Sequence, residues 1–142
     1  MTTTLWSPDP LPVSAVSAER VARIAGTATL LEVADALTAG GVGALVVGDP
    51  GEAAGIISER DLVRALAERR DPGTTTADDI AQQRLVWCDA GAPVDEVAEL
   101  MMEHYVRHVL VEDGGRLVGI VSARDLIGIY AASGPDPDAG ES

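Results

Sequence analysis

The feature that most limits what this chain can become is an internal repeat. Gly55-Ile56-Ile57-Ser58-Glu59-Arg60-Asp61-Leu62-Val63 returns 64 positions later as Gly119-Ile120-Val121-Ser122-Ala123-Arg124-Asp125-Leu126-Ile127. The spacing holds without a gap back to Ala28 and Ala92, and 14 of the 36 paired positions between Ala28–Val63 and Ala92–Ile127 are identical. Chance would give roughly three in a chain this rich in Ala, Val and Gly, so a duplicated structural unit is expected. The 142 residues therefore form one ordinary domain or two small halves that share a core.

Both copies read alike in secondary structure. Leu30, Val33, Ala34 and Leu37 follow helical spacing, as do Val94, Val97, Ala98 and Met101. Thr29 with Glu32 has the form of a capping box, and Pro93 suits the first turn of the second copy's helix. The apolar runs Ala44–Val47 and Val109–Val111 are short enough to be buried strands. Asp49-Pro50-Gly51 and Asp113-Gly114-Gly115 supply turn chemistry before a second apolar strand. Ser58 and Ser122 open a final helix carrying Leu62 and Leu66 in one copy, Leu126 and Ile129 in the other. A short strand is expected ahead of each unit, near Val21–Ile24 and Leu85–Cys88. The expected fold class is α/β, two β-α-β-β-α units in pseudo-two-fold arrangement.

Punctuation sets the boundaries. Residues 1–15 hold three prolines and read as a flexible N-terminal arm, 16–70 as the first repeat, and 71–79 as a linker around Asp71-Pro72-Gly73-Thr74. Within the linker, Thr76 and Asp79 cap a short helix toward Ala81. Residues 80–131 form the second repeat, and 132–142 an acidic, Pro/Gly-rich tail expected to be disordered. A single unit has a small core and an exposed apolar sheet face, which two units packed together would cover.

Composition narrows the partners. A net charge of −13 repels a phosphodiester backbone over a Debye length of about 8 Å, so nucleic acid is not an expected partner. A small phosphate ligand stays compatible, because a pocket needs only a few local cations and backbone donors. No apolar run reaches the length of a membrane span, and the first residues lack a signal peptide's basic cluster and apolar core. With the single cysteine, Cys88, this points to a cytoplasmic protein.

The order of elements, the spacing, the turn positions and the G-h-h-S-x-x-D-h signature (h apolar) in both copies resemble the CBS (cystathionine-β-synthase-type) domain family, and the pair resembles a Bateman module. The likeness covers about residues 16–131 and is nearest to small stand-alone two-repeat bacterial proteins, among them a hypoxia- and stress-induced group. It implies a regulatory sensor that is not an enzyme and that requires no cofactor. The regulatory ligand would be AMP, ADP, ATP, S-adenosylmethionine or NAD(H), held in clefts between the repeats, and the chain would pair as a homodimer through helix faces. Stripes of Leu62, Leu66, Leu126, Ile129 and Tyr130 would supply that contact. The alternative is a ligand-free interaction or stress-response protein that acts through dimerisation.

The resemblance also nominates site residues. The ribose hydroxyls would be held by Asp61 in one cleft and Asp125 in the other, with Ser58 and Ser122 beside them. A carboxylate can accept from both vicinal hydroxyls, and the helix start favours phosphate. Ser-x-x-Asp is equally the form of a plain N-cap, so the pattern by itself leaves both roles open. Arg107-His108 stand where the first copy has Gly43-Ala44, which favours a cleft built on Asp61 with Arg107 and His108 opposite. Arg107 could instead pair with Glu103 or Glu112. Arg60 and Arg124 are secondary anion contacts. The strand ahead of each first helix would line an adenine pocket, through Arg23, Ile24 and Ala25 in one copy and Val86, Trp87 and Cys88 in the other. Trp87 could stack on a purine or fill core or dimer space.

Two further patterns are weak. His104 and His108 form H-x-x-x-H near Cys88 and Glu103, but His108 belongs to an expected strand, so no metal site is expected. Cys88 has no base assigned to it and reads as a buried thiol.

Overall fold

The computed structural model describes residues 11–16, 21–49 and 52–133. The chain divides into two compact units, one of residues 20–85 and the other of residues 1–19 with 86–142. Each is built as the repeat requires.

In the first unit, β1 (Arg23–Ile24) leads into α1 (Leu30–Gly40), β2 (Ala44–Val47), β3 (Gly55–Ser58), α2 (Glu59–Ala67) and the short α3 (Ala77–Ile80). The sheet order is β1-β2-β3, with β1 parallel and β3 antiparallel to β2. Helix α1 starts where the sequence indicates. The Thr29 hydroxyl accepts from the Glu32 N–H, and the Glu32 carboxylate accepts from the Thr29 N–H at 2.8 Å. The helix stops at Gly41, whose φ of 61° is left-handed and costs glycine little. Leu30, Val33 and Leu37 of α1 pack with Leu45 and Val47 of β2, Ile57 of β3, Ala65 and Ala77. The two-residue alternation of a strand sends Leu45 and Val47 to that one face.

The second unit has β4 (Trp87–Asp89), α4 (Val94–His104), β5 (His108–Asp113), β6 (Arg116–Ser122) and α5 (Ala123–Ser133), with sheet order β4-β5-β6 and the same strand directions. Its hairpin is longer than that of the first unit and turns through Gly114 and Gly115, both at positive φ. Pro93 stands at the N-cap, one position ahead of the expected first turn, and provides no side-chain cap. Helix α4 ends at Tyr105 with φ 55°, the left-handed geometry of its counterpart Gly41. The core gathers Val94, Val97 and Met101 of α4 with Cys88, Val109, Val111, Val121 and Leu126.

Residues 11–16 are part of this second core. Val13 is 0% exposed and sits in a 3-10 turn, Val13–Ala15. The N–H groups of Val13 and Ser14 donate to Ala92 O and Ala90 O, and that of Val94 to Leu11 O. Shifted by 64 positions, each bond recurs in the first unit: Ala77 to Ala28 O, Asp78 to Gly26 O, Leu30 to Thr75 O. So the turn that precedes the first repeat closes the second unit, and α3, from the expected linker, closes the first. Part of the expected arm is therefore ordered by burial of Val13 and by three backbone bonds. Residues 132 and 133 of the expected tail end α5, while the tail from 134 onward, residues 1–10 of the expected arm and the Pro50-Gly51 turn lie outside the described residues.

Candidate functional site

Both Ser-x-x-Asp motifs stand at the junction of a strand and a helix. The antiparallel ladder ends at Ala44↔Ser58 in one unit and His108↔Ser122 in the other, and the helix begins at the next residue. The first turn of each helix leaves N–H groups without an intrahelical partner, and the carboxylate three residues on is used to hold the cap.

The two aspartates then diverge. Asp61 is 4% exposed, and both its oxygens are engaged. Its Oδ2 accepts from the Ser58 N–H at 2.8 Å and from the Ser58 hydroxyl at 2.9 Å. Its Oδ1 accepts from Gln82 Nε2 at 3.1 Å and lies 3.7 Å from Arg64 Nη1. Gln82 is placed by the backbone: its N–H donates to Ile56 O at 2.8 Å, and the Ile56 N–H donates to Gln82 O at 3.0 Å. Gly55 allows this close approach, since a Cβ there would meet Gln82 O at 3.0 Å and Ala81 Cβ at 3.2 Å. Asp125 is exposed. Its Oδ2 accepts from the Ser122 N–H at 2.9 Å, its own N–H donates to Ser122 Oγ at 3.0 Å, and Oδ1 has no partner among the described residues.

Other expected site residues are also placed. Arg60, Arg107 and Arg124 are exposed and form no ion pair among the described residues, so Arg107 does not pair with Glu103 or Glu112. Arg107 O accepts from the Ala123 N–H at 2.8 Å, and His108 begins β5. In the strands thought to line adenine, Ile24 packs onto its own unit's core, as Val86 does onto the other, while Ala25 and Trp87 are exposed. Arg23 is committed to the β2–β3 loop, donating to Glu52 O at 2.7 Å and Asp49 O at 3.3 Å. Cys88 is buried, and burial first, then the Asp89, Glu96 and Glu112 charges, push its thiol up to about 11. It is a poor nucleophile at neutral pH. Among the described residues, no group of three His, Cys, Asp or Glu side chains stands close enough to hold a metal ion.

The second unit also has an apolar groove of about 360 Å³ between α4 and α5, lined by Met101, Met102, Val106, Arg107, Leu126 and Ile127 among others. Of the side chains expected to form a pairing stripe, Leu126 and Ile129 are turned onto the unit's own core, and Leu62 packs on the core of the first unit. Leu66 of that stripe is exposed, and the Tyr130 side chain lies outside those described; other exposed apolar side chains include Met102, Tyr105 and Ile127 here and Val63 in the first unit. Helix periodicity alone could not separate Leu126 from its neighbour Ile127. Gln82 was missed because it lies 21 residues from Asp61, a separation that no local spacing rule covers.

Two copies of one strand–helix–hairpin–helix unit, each with Ser-x-x-Asp at a helix mouth, define a paired-repeat module. The CBS domain model matches at residues 13–68 and again at 77–132, so the chain belongs to the CBS domain family. Both matches begin at the small exchanged elements around Val13 and Ala77. Hypoxic response protein 1 of Mycobacterium tuberculosis is 38% identical over 100 residues, 69% of this chain and 70% of that protein. A structure of Hypoxic Response Protein I with two coordinated zinc ions is 32% identical, with a TM-score of 0.69, covering 83% of this chain and 98% of that one. The CBS domain protein PAE2072 of Pyrobaculum aerophilum, complexed with AMP, is 32% identical with a TM-score of 0.74 over 86% of this chain and 99% of that one. The CBS domain pair of protein MJ0100, in complex with 5′-methylthioadenosine and S-adenosyl-L-methionine, is 25% identical with a TM-score of 0.78, covering 87% and 98%. No described helix is long and apolar enough to cross a membrane.

Proposed function

We propose that this chain is a cytoplasmic, non-catalytic regulatory module that binds an adenine nucleotide or related adenosyl compound, of the class AMP, ADP, ATP or S-adenosylmethionine. The observation that carries the reading is the AMP complex of a CBS protein 32% identical across nearly its whole length, taken with a Ser-x-x-Asp helix mouth in each repeat here. An aspartate at such a mouth accepts from ribose hydroxyls, while the helix N-terminus and nearby Arg60, Arg124, Arg107 or His108 attract phosphate. Ser58 and Ser122 set the carboxylate's angle, and Ala25 and Trp87 offer exposed surface to a base. Binding would act on a partner only through different affinity for two states of the module.

A panel of AMP, ADP, ATP, S-adenosylmethionine and NADH in a thermal-unfolding assay tests this directly. At a hundredfold excess over Kd a ligand adds about 2.7 kcal/mol, seen as a clear rise in Tm. No rise with any of them refutes the adenosyl reading.

A second reading is a ligand-free interaction or stress-response protein that acts as a homodimer. It is favoured by the α4–α5 groove, where Met102 and Ile127 are 76% and 67% exposed, and by Tyr105 beside it in sequence at 92%. A second copy is the occupant we propose, since a two-fold pairing would bury the same patch on both chains. Light scattering should give twice the chain mass, and a monomer for Met102→Glu with Ile127→Glu. A wild-type monomer at micromolar concentration would remove the pairing.

A further inference from the structure

We infer that Gln82 and Arg64 latch Asp61 into the fabric of the first repeat, leaving Asp125 as the carboxylate that receives a ligand, so that each chain takes one adenosyl compound and not two. The stoichiometric part rests on the adenosyl reading above; the latch does not. It also reverses the sequence-based preference for a site built on Asp61.

The case is a comparison of like positions. Asp61 and Asp125 occupy the same place in two copies of one motif, and each gives Oδ2 to its own helix cap. At Oδ2 the copies differ only in the added Ser58 hydroxyl bond, which is local to the cap; the difference that reaches beyond the motif is at Oδ1. In the first repeat it is taken by the Gln82 amide at 3.1 Å and flanked by Arg64 at 3.7 Å, and the side chain is 4% exposed. Sixty-four positions away from these two partners the sequence has Ala18 and Gly128. Neither has a side-chain donor, so the second repeat cannot build the same latch. A ribose would have to displace Gln82 from a buried carboxylate at Asp61, leaving that amide to find another acceptor. At Asp125 it meets an oxygen with no partner among the described residues. The latch has its own support in the chain path, because the Ile56–Gln82 backbone pair and the missing Cβ at Gly55 hold Gln82 against β3.

The latch is tested without any ligand. Carbodiimide coupling of glycine ethyl ester to the full-length native protein, read by peptide mass spectrometry, should modify Asp125 and spare Asp61. Gln82→Ala, and more weakly Arg64→Ala, should raise Asp61 labelling toward that of Asp125. Equal labelling of both aspartates in the wild type would overturn the latch. Calorimetric titration with AMP and with S-adenosylmethionine then tests the stoichiometry. One site per chain is expected, weakened about tenfold or more by Asp125→Asn and little changed by Gln82→Ala. Two equivalent sites, or a greater loss in Asp61→Asn than in Asp125→Asn, would overturn the assignment. Labelling as expected with no binding of either compound would sink the adenosyl reading and its one-site corollary, while the latch would stand as a structural staple.

Discussion

The first and second repeats share the bonds that make the fold and differ where side chains meet solvent or a ligand. Three backbone bonds that join each unit to its exchanged segment recur at a constant shift, and so does the strand order. Away from that frame the copies have separated. Gly41 corresponds to Tyr105 at the same left-handed cap, Thr38 and Glu59 correspond to Met102 and Ala123 along the α4–α5 groove, and the Asp61 latch has no equivalent. Backbone pairing depends little on side-chain identity, so the frame tolerates drift that the surfaces do not share. A module of this kind can therefore keep two scaffolds while giving them different tasks.

The largest effect expected from breaking this comparison is at the exchanged segments. Val13→Asp places an unpaired charge in the second unit's core and should cost about 3–5 kcal/mol in urea unfolding. Val13→Ala should cost about 2 kcal/mol. A change under about 0.5 kcal/mol for Val13→Asp, the range of an exposed site, would mean residues 11–16 are not docked. Next in size is the latch. Gln82→Ala removes a bond to a buried carboxylate and should destabilise by about 1.5–3 kcal/mol, whereas Arg64→Ala, at a half-exposed guanidinium, should cost under about 1 kcal/mol.

Smaller, and opposite in sign, is the cap of α4. Tyr105→Gly relieves a left-handed residue with a Cβ and should raise stability by about 1 kcal/mol, while Gly41→Ala should lower it by a like amount. If Tyr105 is also a pairing residue, Tyr105→Gly will stabilise the fold yet weaken self-association, a split readable by unfolding and light scattering on one sample.

The smallest effect concerns Cys88, whose counterpart is Ile24. Its thiol is raised from 9.0 to about 11 in the folded chain, so its contribution is fully present below pH 9 and is lost as pH rises toward 11. Compared with Cys88→Ala, the wild type should lose extra stability across that window, and native Cys88 should react slowly with thiol reagents at pH 8. Rapid modification at pH 8 would contradict its burial.

Much of this architecture was legible before any coordinates. The 64-residue spacing, the caps at Thr29, Ser58, Thr76 and Ser122, and the turn residues place each described α-helix within a few positions, because those signals are local. Three things were not legible. The docking of Val13 rests on a shift of 64 to Ala77, where apolar character survives but identity does not. The turn of Leu126 inward and Ile127 outward is a rotation of one position, below the resolution of a helical pattern. The role of Gln82 depends on β3 and the segment after α3 lying side by side, a tertiary fact. Whether Ser-x-x-Asp is cap or ligand group was open in the sequence, and the capping half is now visible in both copies.

The exchange of short segments has a consequence for how the chain is made. The first unit is complete once residue 85 has left the ribosome, but residues 11–16 belong with partners near residue 92 and beyond. At roughly 5–20 residues per second, Val13 must wait about 6–23 s in the nascent chain before Leu126 completes its socket. A ribosome stalled just past the linker would thus hold every residue of the first unit beside an apolar hook with nowhere to dock, and cutting the gene there would deprive the second half of its keystone.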